Sequence, residues 1–263
     1  MKDLERDVTT RVTHLPGRNN WPVWTPDGKS IVFSSYLQPA SGIYWVRADG
    51  AGEAQRLTDG KTMQVPCSFS PDGKWLAYDQ RSADFRVSEA YTVPVEGDRD
   101  HPRLGKAEAF VRSPSAGTLP AFSPDGRWLA YSSNESGDRE LYVRPFPGPG
   151  GRSQISTGGG SHPIWSRDGR KLFFLTPGKR IMVVAYTAGS DSFSPGKPQV
   201  WSQQTLPSLG GNYPYDLAPD GERFAVVLDP DAAGERDQRP TDRVTVLLNF
   251  FDELCRMVPA GKC

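Results

Sequence analysis

The sequence predicts an all-β fold, a β-propeller of four-stranded antiparallel blades. Three observations carry that expectation. A ten-residue phrase recurs five times, its aspartates Asp27, Asp72, Asp125, Asp168 and Asp220 stand 43 to 53 residues apart, and 27 Gly and 24 Pro are spread along 263 residues as turn punctuation. A period of about 40–50 residues belongs to propeller blades, whereas helical solenoids repeat at roughly 33–34. With 37% apolar and 11% aromatic residues the chain can build a packed core, which excludes collagen-like and low-complexity classes.

The first copy reads Trp24-Thr25-Pro26-Asp27-Gly28-Lys29-Ser30-Ile31-Val32-Phe33. Residues 69–78 and 122–131 repeat it closely, residues 165–174 carry Arg167 in place of the proline, and residues 217–226 open on Leu217 in place of the aromatic. Proline presets one turn dihedral, aspartate bonds its own backbone, and glycine accepts positive φ, so each copy is a tight hairpin turn and its aspartate is structural. A strand follows. Ile31/Phe33, Leu76/Tyr78, Leu129/Tyr131, Leu172/Phe174 and Phe224/Val226 share one face, and the residue between each pair is also apolar, so these strands are covered on both sides by stacked sheets. Third strands are expected at 43–46, 90–93, 141–143, 181–184 and 244–248, rich in β-branched and aromatic residues. Fourth strands are expected at 56–58, 103–104, 154–156 and 199–201.

The resulting single domain, 1–263, divides into blades at about 15–60, 61–107, 115–158, 160–204 and 210–249. The fifth lacks a fourth strand, because Phe250, Phe251, Leu254 and Met257 fall at helical spacing and predict a short terminal helix over 250–258. An N-terminal strand over 8–14 is expected to close the ring, since Thr10-Arg11-Val12-Thr13 resembles Gln55-Arg56-Leu57-Thr58. In the alternative, residues 3–6 are the remnant of a sixth blade and the ring is incomplete.

The fivefold pattern resembles the WD40-like repeats of TolB-type bacterial β-propellers over nearly the whole chain. The ending, residues 247–262, is similar to the tail of the propeller in bacterial receptor-like serine/threonine kinases. That resemblance implies a sensor or interaction domain carried behind a kinase domain and a membrane span. It also implies an extracytoplasmic location if the chain is the C-terminal part of such a kinase, and a cytoplasmic one if it stands alone. Fold does not by itself decide function.

Composition narrows the partners. Lys+Arg and Asp+Glu both number 31, and the pI is near 6.8, which argues against a nucleic-acid surface. No apolar run approaches the length of a membrane span, and the charged start, Met1 to Asp7, has no apolar signal core. Cys67, Cys255 and Cys263 form neither a disulfide framework nor a zinc motif, and no cofactor or metal is expected.

Catalytic motifs fail on spacing. Gly28-Lys29-Ser30 and Gly60-Lys61-Thr62 lack the earlier glycine of a phosphate loop, no Gly-x-Ser-x-Gly elbow is present, and Asp84-Phe85-Arg86 is not a kinase metal-binding triplet. The aspartates of the five turns lie too far apart around a rim to share a metal. What remains is a binding surface. Loops entering the inner strands carry Asn19, Asn20, Trp21, Met63, Gln64, Thr118, Ser161, His162, Asn212 and Tyr213, and the loops after the second strands carry Tyr36, Arg81 and Asn134. Polar groups mixed with aromatics on convergent loops suit a protein, peptide or small ligand at one channel mouth. The expected function is therefore noncatalytic recognition. The competing readings are a five-bladed glycoside hydrolase or lyase, for which only Asp216 offers a carboxylate where two are needed, and a fragment without independent function.

Overall fold

The computed structural model describes residues 2–3, 8–36, 39–60, 62–82, 87–98, 100–115, 118–148, 150–206 and 215–226. Every regular element among them is a β-strand. A hairpin pairs β1 (Lys2–Asp3) with β2 (Val8–Thr9). The first blade is β3 (Asn19–Trp24), β4 (Ser30–Ser35), β5 (Gly42–Arg47) and β6 (Gln55–Arg56), paired in that order. The second is β7 (Met63–Phe69), β8 (Trp75–Arg81) and β9 (Ser88–Gly97), with β10 (Pro102–Leu104) and β11 (Glu108–Ser115) both on β9. The third is β12 (Ala121–Phe122), β13 (Trp128–Ser136), β14 (Asp138–Pro145) and β15 (Ser153–Gln154). The fourth is β16 (Ser161–Trp165), β17 (Lys171–Leu175) and β18 (Arg180–Ala188), with β19 (Phe193–Pro195) and β20 (Gln199–Thr205) both on β18. The hairpin β21 (Tyr215–Leu217) and β22 (Phe224–Val226) follows them.

The repeated phrase forms the turn between the first two strands of each unit. Ser70 shows the bonding: its Oγ donates to Asp72 Oδ1 (2.6 Å) and accepts from Trp75 N–H (3.0 Å), while Lys74 N–H donates to Asp72 Oδ1 (3.1 Å). Thr25/Asp27, Ser123/Asp125 and Ser166/Asp168 repeat these bonds. In the hairpin of the fifth copy Ala218 cannot supply the hydroxyl, and Asp220 holds the N–H groups of Glu222 and Arg223 instead. Gly28, Gly73, Gly126, Gly169 and Gly221 all lie at φ between 68° and 74°, as the turn requires. Gly73 sits beside Pro26 and Gly126 beside Pro71, so neighbouring turns line one rim.

The second strand distributes its residues by a two-face rule. Leu76 and Tyr78 pack with Val32, Ile43 and Trp45 of the first blade, while Ala77 between them packs with Phe122 and Leu129 of the third. Leu172 and Phe174 pack against Trp128, Ala130, Leu141 and Val143, while Phe173 turns to Tyr215 and Phe224 of the hairpin. The outer pair thus always faces the preceding unit and the middle residue the following one. Leu76, Leu129 and Leu172 are fully buried, each contributing roughly 1.5–3 kcal/mol relative to exposure. By the same rule Ile31 and Phe33 face backwards, and that face is covered by Val12, Leu15 and Ala54.

The structure differs from expectation at the N-terminal end and once in the middle. Arg103 and Leu104 form only the short β10 on the outer half of the ten-residue β9, and the inner half is paired by β11, so the second blade runs on to Ser115. Residues 10–14 adopt no strand, and β2 pairs with β1. The third strand of the fifth blade at 244–248 and the terminal helix at 250–258 lie outside the described residues.

Candidate binding site at the channel mouth

The site begins with a backbone irregularity at the entry to the inner strands. Trp21 (φ 53°), Leu119 (φ 44°) and His162 (φ 55°) occupy the same position in three blades, and all are left-handed. Such a conformation costs a non-glycine residue roughly 1–3 kcal/mol and is held only where the surroundings impose it. Register shifts between Asn20 and Val23, and between Ser161 and Ile164, place a bulge there, and a bulge re-aims the side chain it carries. In the second blade Pro66 stands at this position and cannot take a positive φ, so the register shift falls between Pro66 and Ser68.

The Trp21 ring meets Tyr36 edge to face at 5.5 Å, and the Arg81 guanidinium carbon lies 5.5 Å from the Trp21 ring centre. Arg81 Nε donates to Asp79 Oδ2 at 2.7 Å. Asp79 is completely buried and also accepts from Ser88 Oγ and, at 2.8 Å, from Thr118 Oγ1, so one carboxylate ties β8 and β9 to the entry of the third blade. On the fourth blade, burial together with the charges of Arg139 and Arg81 lowers the His162 pKa from 6.5 to about 4, so the imidazole is neutral at physiological pH. Burial raises the Tyr36 hydroxyl above its ordinary range and keeps it protonated. The Tyr36 hydroxyl lies beside the Ser34 hydroxyl, whereas Trp21 Nε1 is buried with no hydrogen-bond partner among the described residues; leaving such a group unmet costs about 1–3 kcal/mol.

The sequence-predicted residues divide between this cluster and the scaffold. Asn20 pairs with Ser34 in the β3–β4 ladder. Gln64 accepts from Thr58 Oγ1 through its side chain (2.5 Å) and from Ser34 Oγ through its carbonyl, which ties the first blade to the second. Thr118 is fully buried on Asp79. Ser161 Oγ lies 3.0 Å from His162 Nδ1. Asn134 is exposed near the tip of the β13–β14 hairpin, and Asn212 and Tyr213 lie outside the described residues. Asp27, Asp72, Asp125, Asp168 and Asp220 hold the turns of the opposite rim. Cys67 donates to the Val65 carbonyl, and burial pushes its thiol well above the usual range. Desolvation raises the Asp216 carboxyl. No group of three or more His, Cys, Asp or Glu suited to a metal occurs among the described residues.

Sequence reasoning passed over Asp79 and Arg139. The available signal for Asp79 was a carboxylate at a strand position where the first and third blades carry Ser34 and Ser132. Two surface hollows lie away from the cluster. One, of about 240 Å³, is lined by Arg47, Glu53, Gln55 and Asp100, and the other, of about 520 Å³, by Asp125, Arg127, Arg167, Asp168 and Tyr186 on the turn rim.

The chain matches no protein-family model. It is 31% identical over 149 residues to the uncharacterized protein Atu1656 of Agrobacterium fabrum, covering 55% of this chain and 46% of that one. Among solved structures, TolB from Acinetobacter baumannii superposes with a TM-score of 0.59 at 20% identity, over 81% of this chain and 49% of that one. A puromycin-hydrolyzing peptidase of Mycobacterium tuberculosis gives 0.55 at 22% identity, over 84% and 38%. The chain spans less than half the length of each of these proteins. No helix among the described residues is long and apolar enough to cross a membrane. The architecture is that of a TolB-like β-propeller.

Proposed function

We propose that this chain is a noncatalytic recognition propeller, the sensor or interaction part of a bacterial signalling protein, holding a protein or peptide segment at its channel mouth. The observation that carries the reading is the Trp21–Tyr36–Arg81 stack, a partly exposed aromatic and cationic platform set by a left-handed bulge and flanked by His162. Stacked aromatics and arginine are what protein-recognition surfaces use as anchors. The kinase association rests on the resemblance of residues 247–262 and is part of the same proposal. Panning a displayed random-peptide library on the purified chain tests recognition. A consensus enriched on the wild type and lost on Trp21→Ala supports it, and equal enrichment on both moves recognition elsewhere.

A catalytic reading has one observation in its favour, the raised carboxyl of Asp216. A glycosidase needs a second carboxylate about 5–9.5 Å away, and Asp79 is committed to Arg81, Ser88 and Thr118. Turnover of aryl glycosides, aminoacyl nitroanilides or gluconolactone that disappears in Asp216→Asn would overturn the noncatalytic proposal.

A further inference from the structure

We infer that the channel mouth is a carboxylate site, with Arg81 as its anchor and the Trp21 ring as its wall, fitted to an acidic side chain or a C-terminal carboxylate of a bound peptide. This rests on the recognition reading and specifies the chemistry of the group recognised. The cluster presents donors. Arg81 spends Nε on Asp79, and its Nη groups make no hydrogen bond among the described residues. The group buried beside it without a partner among the described residues, Trp21 Nε1, is an N–H, so it can be satisfied by an acceptor.

Two guanidinium groups bear on this part of the mouth. Arg81 from β8 and Arg139 from β14 both act on His162 of β16, so cations from the second and third blades face the fourth. Among the described residues the carboxylate that acts on Tyr36 is Asp79, which is fully buried and paired with the Arg81 guanidinium, itself 12% exposed. A carboxylate arriving there meets a cation already oriented by Asp79, so little side-chain freedom remains to be lost, and a planar guanidinium favours a planar, two-oxygen partner. The protein as a whole has formal net charge zero, so this preference is a property of the mouth and not of the molecule's general field.

The test titrates the intact chain with N-acetylphenylalanine and N-acetylglutamate α-amide, which carry the main-chain and the side-chain carboxylate respectively, and with N-acetylphenylalanine amide as the neutral control. The indole N–H resonance of Trp21, assigned with Trp21→Phe, is the readout. Binding of either acid in the millimolar range, at least tenfold tighter than the amide and lost in Arg81→Gln, is the expected result, and the stronger of the two acids identifies the source of the carboxylate. Because Arg81→Gln leaves Asp79 unpaired, the double variant Asp79→Asn/Arg81→Gln, which keeps an acceptor for Thr118 and Ser88, must lose the binding as well. Equal affinity for acid and amide overturns the carboxylate assignment and leaves recognition at the mouth intact. An unmoved Trp21 resonance with both acids overturns the assignment, while the peptide-library result decides the recognition reading separately.

Discussion

Removing the Asp79 carboxylate is expected to be among the most destabilising single changes in the chain. Asp79 is completely buried, and the Arg81 side chain is only 12% exposed, so their 2.7 Å contact is an ion pair largely withdrawn from water. Asp79→Ala leaves that guanidinium without its counter-ion, a loss typically of about 3–5 kcal/mol. It also strips the acceptor from Thr118 Oγ1 and Ser88 Oγ, both on buried residues, at about 1–3 kcal/mol for each group that finds no substitute. Relaxation and water entry will recover part of this, so about 4 kcal/mol is the expected total. Asp79→Asn keeps an acceptor for the hydroxyls but sets an amide against Arg81 Nε, and about half that loss is expected. The neutral pair Asp79→Asn/Arg81→Gln should return most of the stability of the wild type. Urea unfolding followed by tryptophan fluorescence measures all four proteins, with the midpoint reporting stability and the slope checking that the exposed area is unchanged. If Asp79→Ala costs less than about 1 kcal/mol, or if the double variant is no better than Asp79→Ala, the clamp between the second and third blades does not exist as described.

Further outcomes follow from the same geometry. Gly60→Ala should cost several times more than Gly28→Ala: a methyl at Gly60 would lie 1.7 Å from the Ser41 carbonyl oxygen, whereas at Gly28 it meets nothing within 4 Å and pays only the left-handed strain of roughly 1–2 kcal/mol; thermal melts of the two variants compare them directly. Ser70→Ala should lose about 1 kcal/mol by chemical denaturation, since Trp75 N–H forfeits its acceptor while Gly73 N–H still bonds the residue-70 carbonyl. Lowering of the His162 pKa from 6.5 to about 4 means that the unfolded chain takes up the proton first, so its contribution is fully present above about pH 6.5 and is lost as pH falls toward 4. That loss reaches about 3 kcal/mol, and His162→Gln should flatten the stability profile between pH 6.5 and 4 relative to the wild type. The turn carboxylates Asp72 and Asp168, held low chiefly by the Ser70 and Ser166 hydroxyls, act below that window and should leave an acid-side slope in both proteins.

What could be read from the residues was whatever repeats. The Pro-Asp-Gly turn is a local object: Ser70, Asp72, Gly73 and Lys74 satisfy one another within five residues, so its chemistry is written in consecutive letters and its strand follows by alternation. The apolar middle residue of each second strand announced burial on both sides, and Ala77 between Leu76 and Tyr78 is where two blades meet. Fourth strands were harder, because their partner is set by how far the preceding strand runs. Arg103-Leu104 and Gln154-Ile155 look alike in the sequence, yet the ten-residue β9 accepts two partners, so β11 rather than β10 pairs with its inner half.

The mouth was legible only as a list of loops, and the reason is that its groups are exceptions to the repeat. Trp21, Leu119 and His162 share an alignment position but have no chemistry in common; what they share is a backbone dihedral, which side-chain identity does not encode. Asp79 occupies a site that carries Ser34 in the first blade and Ser132 in the third. There the hydroxyl of Ser34 reaches a neighbouring carbonyl, whereas the carboxylate demands a cation. Replacing a small neutral acceptor with a buried charge is stable only if its neighbours change with it, and Arg81, Ser88 and Thr118 are those neighbours. Asymmetry introduced at one blade of a quasi-symmetric ring gives its channel one distinguishable side. A ligand held at a mouth of similar walls, as proposed above, would need such a side in order to bind in a single orientation, and the Arg81 side of the mouth, with its guanidinium over the Trp21 ring, is the one that differs.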